Sequence, residues 1–322
     1  EPRRGGGVRA WITAQRGCDK FCTYCVVPYT RGRERSLPLA ELVAQVRAAV
    51  TGGYREVVFL GQTVNSYHDG THDFADLLRA TDAVEGLLRI RFTSPHPSDM
   101  SERVIAAIAE CGKVCPQVHL PLQSASEPVL AAMGRTYTLA EYRDVVARLR
   151  EAVPGLALTT DIIVGFPGES EDDFERTAAY MREVRYDSAF LFKYSARPDT
   201  KAFRQAETVS EIEKGRRLSH LLSQQQSISG ALYDRMIGRE VEVLVEGPAK
   251  RPGRPGAPPT SERGAGQLFG KSAHFKTVVF DDDGSPAGSL RMVRIVGATP
   301  ITLIGEPVGA PRPDAETVSL SA

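Results

Sequence analysis

From Trp11 to about Ile237, short apolar runs alternate with stretches whose apolar residues recur at helical spacing. That alternation predicts repeated βα units around a parallel sheet. Six runs read as strands: WITA at 11–14, EVVFLG at 56–61, RIRFTS at 89–94, QVHLPL at 117–122, ALTTDIIVGF at 157–166 and SAFLFKY at 188–194. Leu39, Leu42, Val43, Val46, Ala49 and Val50 mark one helix face, with Pro38 in the first turn. Further faces are Val104, Ile105 and Ile108, then Tyr142, Val145, Val146 and Leu149, then Phe174, Thr177, Ala178 and Met181. Thr138-x-x-Glu141, Ser170-x-x-Asp173 and Ser210-x-x-Glu213 fit the capping box, in which hydroxyl and carboxylate satisfy each other's free N–H groups. The helix that starts near Ser210 runs long and closes this domain.

The period then changes. Glu240 to Glu246 alternates apolar and charged residues, a Pro/Gly-rich stretch covers 248–266, and QLFGK, FKTVVF, LRMVRIV and ITLIGE follow with turns such as DDDGS between them. Short strands at regular spacing predict a small closed barrel of about 70 residues, similar in style to oligonucleotide-binding barrels. The reading is α/β: a six-unit (βα) partial barrel over 4–236 and a small all-β barrel over 237–309. A remnant at 1–3 precedes them, and a polar tail at 310–322 is expected to be disordered.

Charge is balanced, 40 Lys and Arg against 40 Asp and Glu. Any nucleic-acid contact must come from local patches, RGRER at 31–35 or AKRPGRPG at 249–256, each of which also reads as a solvated loop. No secretory signal or membrane-length apolar run appears, which points to a reduced, cytoplasmic protein. The first residue is Glu1, as in a piece of a longer polypeptide.

Three of the five cysteines, Cys18, Cys22 and Cys25, fall within eight residues as C-x3-C-x2-C. Structural zinc takes four ligands, usually from a second C-x-x-C or a His pair, and neither follows Cys25. His68 and His72 stand four apart, but in NSYHDGTHD they read as loop residues. A four-iron cluster normally takes four thiolates, so three would leave one iron open to a ligand. Cys111 and Cys115 read as small apolar residues packing beside a helix end. In parallel α/β folds, ligands gather where the strands end. The cysteine loop, Gly61-Gln62-Thr63, Ser94-Pro95-His96-Pro97, Gln123-Ser124, Gly165-Phe166-Pro167-Gly168-Glu169 and Lys193-Tyr194 all fall at such ends.

The C-x3-C-x2-C loop after the first strand, with Tyr24 before its last cysteine, resembles the signature of radical S-adenosylmethionine (SAM) enzymes. RGCDKFCTYCVVPYTRGRERS, FLGQTVNSY, RFTSPHPSDMSERVI, VCPQVHLPLQS, TTDIIVGFPGE and FLFKYSARP resemble the MiaB-type tRNA methylthiotransferases, and the last barrel looks like their TRAM domain. The resemblance implies a 4Fe-4S cluster on Cys18, Cys22 and Cys25, whose open iron binds S-adenosyl-L-methionine. It implies reductive cleavage to a 5′-deoxyadenosyl radical, and methylthiolation at C2 of N6-(dimethylallyl)adenosine next to the tRNA anticodon. Tyr24 would lie against the cofactor's adenine, and Gly61, Gln62 and Thr63 near its methionine amino group. Gln123 and Asp161 would make polar contacts to it, and Gly165 and Gly168 would let backbone approach. Arg31, Arg33, Arg35, Lys250 and Arg251 would meet RNA phosphates. Ordinary strand-end hydrogen bonding is the alternative for Gln123 and Asp161, and the turn after Pro167 the alternative for Gly168. Partners would be the anticodon stem-loop and a low-potential electron donor, with no membrane, for a monomer.

Two departures from the family pattern stand out. Ala125 replaces a glycine of LPLQSGS, and the family's N-terminal domain, whose three cysteines hold an auxiliary cluster for sulfur transfer, is expected to be missing. Rival readings are a sibling methylthiotransferase acting on threonylcarbamoyl-adenosine or on a ribosomal-protein aspartate, and a non-catalytic RNA-binding protein with zinc on the three cysteines and a histidine. The two-domain division also implies separable tasks, with RNA binding in the small barrel and cofactor cleavage in the larger domain.

Overall fold

A computed structural model describes residues 7–249 and 266–309. The remnant at 1–3, Lys250, Arg251 and the tail at 310–322 lie outside them. Six parallel strands form the larger domain. β1 (Arg9–Thr13) pairs with β4 (Glu56–Leu60), which pairs with β5 (Arg89–Phe92). β6 (Gln117–His119), β7 (Ala157–Val164) and β8 (Ser188–Lys193) make a second parallel set. The chain ahead of β6 stitches the two together: Ile90 N donates to Lys113 O at 2.7 Å, and Cys115 N to Ile90 O at 3.0 Å. A short ribbon of β2 (Gln15–Arg16) and β3 (Arg35–Ser36) interrupts the βα rhythm after β1.

Eight helices follow among the described residues: α1 (Val27–Arg31), α2 (Leu39–Thr51), α3 (Phe74–Asp82), α4 (Glu102–Glu110), α5 (Glu127–Met133), α6 (Leu139–Ala152), α7 (Glu171–Val184) and α8 (Glu211–Asp234). The expected apolar faces lie on α2, α4, α6 and α7 and bury Leu42, Val46, Ile105, Tyr142, Phe174 and Met181 against Val57, Phe59, Ile90 and Leu158 of the strands. Pro38 caps α2 instead of lying in its first turn. Thr138 and Ser170 form full capping boxes. Ser210 accepts from Glu213 N, but the Glu213 carboxylate is taken by Arg216 and Arg217, so the reciprocal half is absent. The sequence reading left out α3 and α5, both short. The start of α3 carries a box of its own, Asp73 with Asp76. Cys111 and Cys115 are buried as expected, and burial pushes the Cys111 thiol up to about 11.

The small domain is a closed five-stranded barrel of β9 (Glu240–Pro248), β10 (Gln267–Ser272), β11 (Thr277–Asp281), β12 (Leu290–Ala298) and β13 (Thr302–Pro307), in the order β10-β11-β13-β12-β9. Val243, Val245, Val278, Phe280, Val293, Ile295 and Leu303 fill it. The predicted run FKTVVF enters its strand two residues late, because Phe275 stands at φ +63° in the turn. No helix among the described residues is long and apolar enough to cross a membrane.

The two domains share a wall. On β5, Ile90 and Phe92 face the helices, so by strand alternation Arg89 and Arg91 face the concave side. Both arginines are buried. Arg91 donates to Ser272 O and Ala273 O, each at 2.9 Å, and Arg89 to Lys271 O at 2.6 Å and Glu242 O at 3.1 Å, all on the small barrel. Glu56, fully buried, accepts from Arg91 at 3.0 Å and from Arg9. Burial works against the Glu56 charge, yet Arg91 and Arg9 hold its carboxyl below the usual range. The two domains are therefore joined at this wall, where buried arginines of one use backbone carbonyls of the other.

Replacing Arg91 with Ala leaves Glu56 with Arg9 alone and strands two barrel carbonyls, and should cost about 3–5 kcal/mol of stability in denaturant unfolding. Because the folded Glu56 carboxyl is depressed, its contribution is complete above about 4.5 and fades as pH falls through the lower folded value. The variant should lose less stability than wild type on acidification below that point. Equal acid sensitivity in both would remove Glu56 from the account.

Candidate functional site

The cysteine loop is closed at its base by β2 and β3, with Arg16 opposite Arg35. Gly17 follows at φ +79°, and a Cβ there would lie 2.2 Å from Arg33 O, so only glycine passes. Cys18 N donates to Gly32 O at 3.2 Å and Cys25 N to Cys22 O at 3.0 Å. Thr23 anchors the middle: its N–H reaches Met133 O and its hydroxyl Ala132 O, and its carbonyl accepts from Ala202 N, each at 2.8 Å. The Tyr24 ring rests edge-on against Phe166, over a small apolar cluster of Val129, Met133, Phe166, Tyr194 and Ala202.

Cys18 and Cys22 are buried and Cys25 is half-buried. The Cys18 sulfur lies 3.2 Å from the Thr63 hydroxyl, and the Cys22 sulfur accepts from Arg135 Nη1 at 3.2 Å. Arg135 also reaches the Tyr24 hydroxyl at 3.4 Å and the Tyr137 hydroxyl at 3.2 Å. Burial opposes the Arg135 charge, but Tyr137, Tyr24 and Cys22 push its pKa up. Burial also raises the Cys25 thiol, with neighbouring Cys22 and Cys18 adding to the effect.

Gln15, buried and unremarked in the sequence reading, joins this loop to the next. Its amide donates to Gly17 O at 2.8 Å and its oxygen accepts from Gln62 N at 3.0 Å and Thr63 N at 3.3 Å. Gln62 returns the link by accepting from Gly17 N at 2.7 Å. A Cβ on Gly61 would stand 2.8 Å from the Gln15 oxygen and 2.9 Å from Val64 Cα. Asn65 and His96 tie the second and third rim loops by reciprocal bonds of 2.9 and 2.7 Å. The buried His96 ring is held neutral, its pKa pulled down to about 2 by burial and by the charges of Arg135 and Lys20. Ser94 at φ +58° and Gln123 at φ +70° are non-glycine residues in the left-handed region. Such strain concentrates at functional sites. It falls on Gln123 and not on Ala125, so the glycine-to-alanine departure is tolerated.

Gln123 and Asp161 meet through backbone, Gln123 N donating to Asp161 O at 2.8 Å. The Asp161 carboxylate lies 3.2 Å from His119 Nε2. Gly165, at φ +73°, leaves room for Lys214, whose Cγ a Cβ would meet at 2.3 Å. Gly168, at φ +86°, has open space and donates to Thr208 at 2.7 Å, as the turn reading expects. Arg31, Arg33 and Arg35 are exposed, although the Arg33 fork already grips Asp19 at 2.5 and 3.0 Å. His68 and His72 lie in the loop expected of them. Gln15, Arg135, His119 and Lys214 escaped the sequence reading. Arg135 follows a short helix remote in sequence from the cysteines, so no spacing linked them.

The donor set suits an iron-sulfur cluster with one open iron. Three soft thiols share one pinned loop, and hydrogen-bond donors already address two of the sulfurs. His96 Nε2, Asp99 Oδ2 and the Tyr194 hydroxyl are buried on this rim without a partner. Unsatisfied buried polar atoms of this kind are rare unless something else binds there. Below the rim, a cavity of ≈ 710 Å³ runs along the concave face from Ser94 and Asp161 to the small barrel at Lys271, His274 and Phe275.

Residues 12–181 match the sequence family described as the Radical SAM superfamily. The chain is 44% identical over 302 residues to the tRNA-2-methylthio-N(6)-dimethylallyladenosine synthase of Alkaliphilus oremlandii, covering 93% of this chain and 62% of that protein. It is 44% identical over 305 residues to the synthase of the same name in Desulfitobacterium hafniense, covering 94% and 65%. With that of Chlorobium chlorochromatii it shares 43% over 311 residues, covering 96% and 67%. The chain thus spans 62% to 67% of the length of these curated relatives. Two solved structures share the fold at low identity. The radical S-adenosylmethionine methyltransferase TsrM from Kitasatospora setae has TM-score 0.51 and 18% identity, over 60% of this chain and 38% of that one. Coproporphyrinogen III oxidase (HemN) from Escherichia coli has TM-score 0.50 and 14% identity, over 69% and 53%. With its three-cysteine loop on the rim of two three-stranded parallel sheets and a five-stranded barrel behind them, the chain belongs to the radical SAM superfamily and, within it, to the MiaB-type tRNA methylthiotransferase family.

Proposed function

We propose that this chain forms the cofactor-cleaving and RNA-engaging part of an enzyme that methylthiolates N6-(dimethylallyl)adenosine beside the tRNA anticodon. The observation that carries the reading is the three-thiol loop with its rim contacts, in a chain 44% identical to synthases of that name. Cys18, Cys22 and Cys25 would hold a 4Fe-4S cluster. When bound, the cluster and S-adenosyl-L-methionine supply a one-electron route to hydrogen abstraction from an unactivated carbon. The protein's own part is placement. Arg135 sets a positive charge against the Cys22 sulfur and Thr63 a hydroxyl against that of Cys18. Gln15 keeps the loops in register. Arg31 and Arg35 remain exposed for phosphate contacts on the anticodon stem-loop. An auxiliary cluster, the methylthio sulfur source and a low-potential electron donor would complete the system. Of the five cysteines here, three are in the loop and two are buried beside the end of α4.

Replacing Cys22 with Ala should abolish cluster assembly and cofactor cleavage; full iron content with continued 5′-deoxyadenosine formation would reject the assignment, and one bound zinc in a colourless wild-type protein would favour the zinc reading. Gly61→Ala should push Gln15 aside, lower stability by about 1–3 kcal/mol and weaken cluster retention through gel filtration. Unchanged retention would show that the Gln15 link is dispensable. Reconstituted without oxygen, the 322-residue chain should bind about one four-iron cluster and cleave the cofactor slowly. It should yield no methylthiolated nucleoside by mass spectrometry of the treated tRNA. Multiple-turnover product from this chain alone would mean that the sulfur has another source.

A further inference from the structure

The cavity on the concave face takes its walls from both domains. Trp11 and Phe190 come from β1 and β8, Leu222 from α8, and Phe275 and Ile301 from the small barrel. These five apolar side chains are between 38% and 77% exposed. Aromatic faces beside branched aliphatic groups suit a planar heteroaromatic ring that carries an apolar substituent. The volume, ≈ 710 Å³, falls within the usual range for small-ligand sites.

Phe275 is the informative member. It sits in the tight β10–β11 turn, where its N–H donates to Ser272 O at 3.0 Å and Ser272 N to Lys276 O at 2.9 Å. Its φ of +63° is the left-handed position that hairpin turns ordinarily give to glycine. A side chain there crowds its own backbone, a cost that glycine would not carry. The barrel does not need the ring, since Phe275 is not part of its core. Three cations hold it instead: Arg91 and Lys271 lie 4.8 Å from the ring centroid and Arg9 lies 5.2 Å away. The turn thus tolerates strain to present an aromatic surface, positioned by charges of both domains, to the shared cavity.

We propose that Phe275 is the stacking platform for the substrate's adenine ring, with Leu222 and Ile301 receiving its apolar N6 branch. The inference rests on the substrate reading above and extends it. The small barrel then recognises the modified base itself, beyond any grip on the RNA backbone.

The test compares binding of N6-(dimethylallyl)adenosine and unmodified adenosine to the reconstituted full chain by equilibrium dialysis, with emission of Trp11, the single tryptophan, as a local reporter. Phe275→Gly suits the turn's backbone, so its thermal midpoint should stay near wild type. Its affinity for the modified nucleoside should fall about tenfold or more, and the preference over adenosine should shrink. Phe275→Leu keeps apolar volume without the π face and should shift in the same direction; it serves as the readout should the glycine variant unfold. Wild-type affinity in a folded variant overturns the platform and leaves the substrate reading standing. If the wild-type chain binds the modified base neither as nucleoside nor within an anticodon stem-loop, the substrate reading falls and the platform with it.

Discussion

A carboxylate with no exposure, Glu56, lies between Arg9 and Arg91, and the remaining architecture depends on that arrangement. Buried charges are costly unless paired and fully hydrogen-bonded, and breaking one partner leaves the other stranded. Here the leftover donors of Arg91 and its neighbour Arg89 find their acceptors on the second domain, at Lys271, Ser272, Ala273 and Glu242. The domains are therefore joined by satisfied polar groups on the concave side, where an apolar contact would have filled the space. An open partial barrel gains a wall without losing its interior.

At the opposite end of the strands, the organisation is peptide-scale. The thiol loop does not rely on its own turns for shape. A two-residue ribbon closes its base, Thr23 pins its middle to α5 and to Ala202, and Gln15 fixes it to the Gly61 loop. Each attachment comes from a different βα unit, so the loop's geometry belongs to the sheet as a whole. The positive φ angles at Ser94 and Gln123 show the same logic, with local strain kept in place by neighbours from other strands.

Much of this was legible in the chain because it follows from periodicity. The apolar run at 56–61 marked β4, and helical spacing placed Leu42 and Val46 on the inner face of α2. The cysteine spacing was legible because ligand count is a local property. What escaped was of two kinds. Short elements such as α5 offer too few turns to show a period, and side-chain links such as Arg135 to Cys22 join residues more than a hundred positions apart. The joint between the domains escaped for a related reason: Arg89 and Arg91 alternate with Ile90 and Phe92 as strand residues should, but nothing in that pattern says their acceptors lie near residue 272.

The helix that ends the larger domain has 24 residues and so is about 36 Å long. Near its start, Lys214 packs on Gly165, and Arg217 holds Glu169 at 2.7 Å, which in turn accepts from Gly165 N. At its far end, Tyr233 is part of the small barrel's core and lies under Lys276. A flexible tether would let an RNA-binding module wander through a volume set by linker length, diluting its presence at the rim. A strut does the opposite. The span between the glycine loop and the barrel is set by helical rise, so whatever the barrel grips is delivered at one distance from the strand ends.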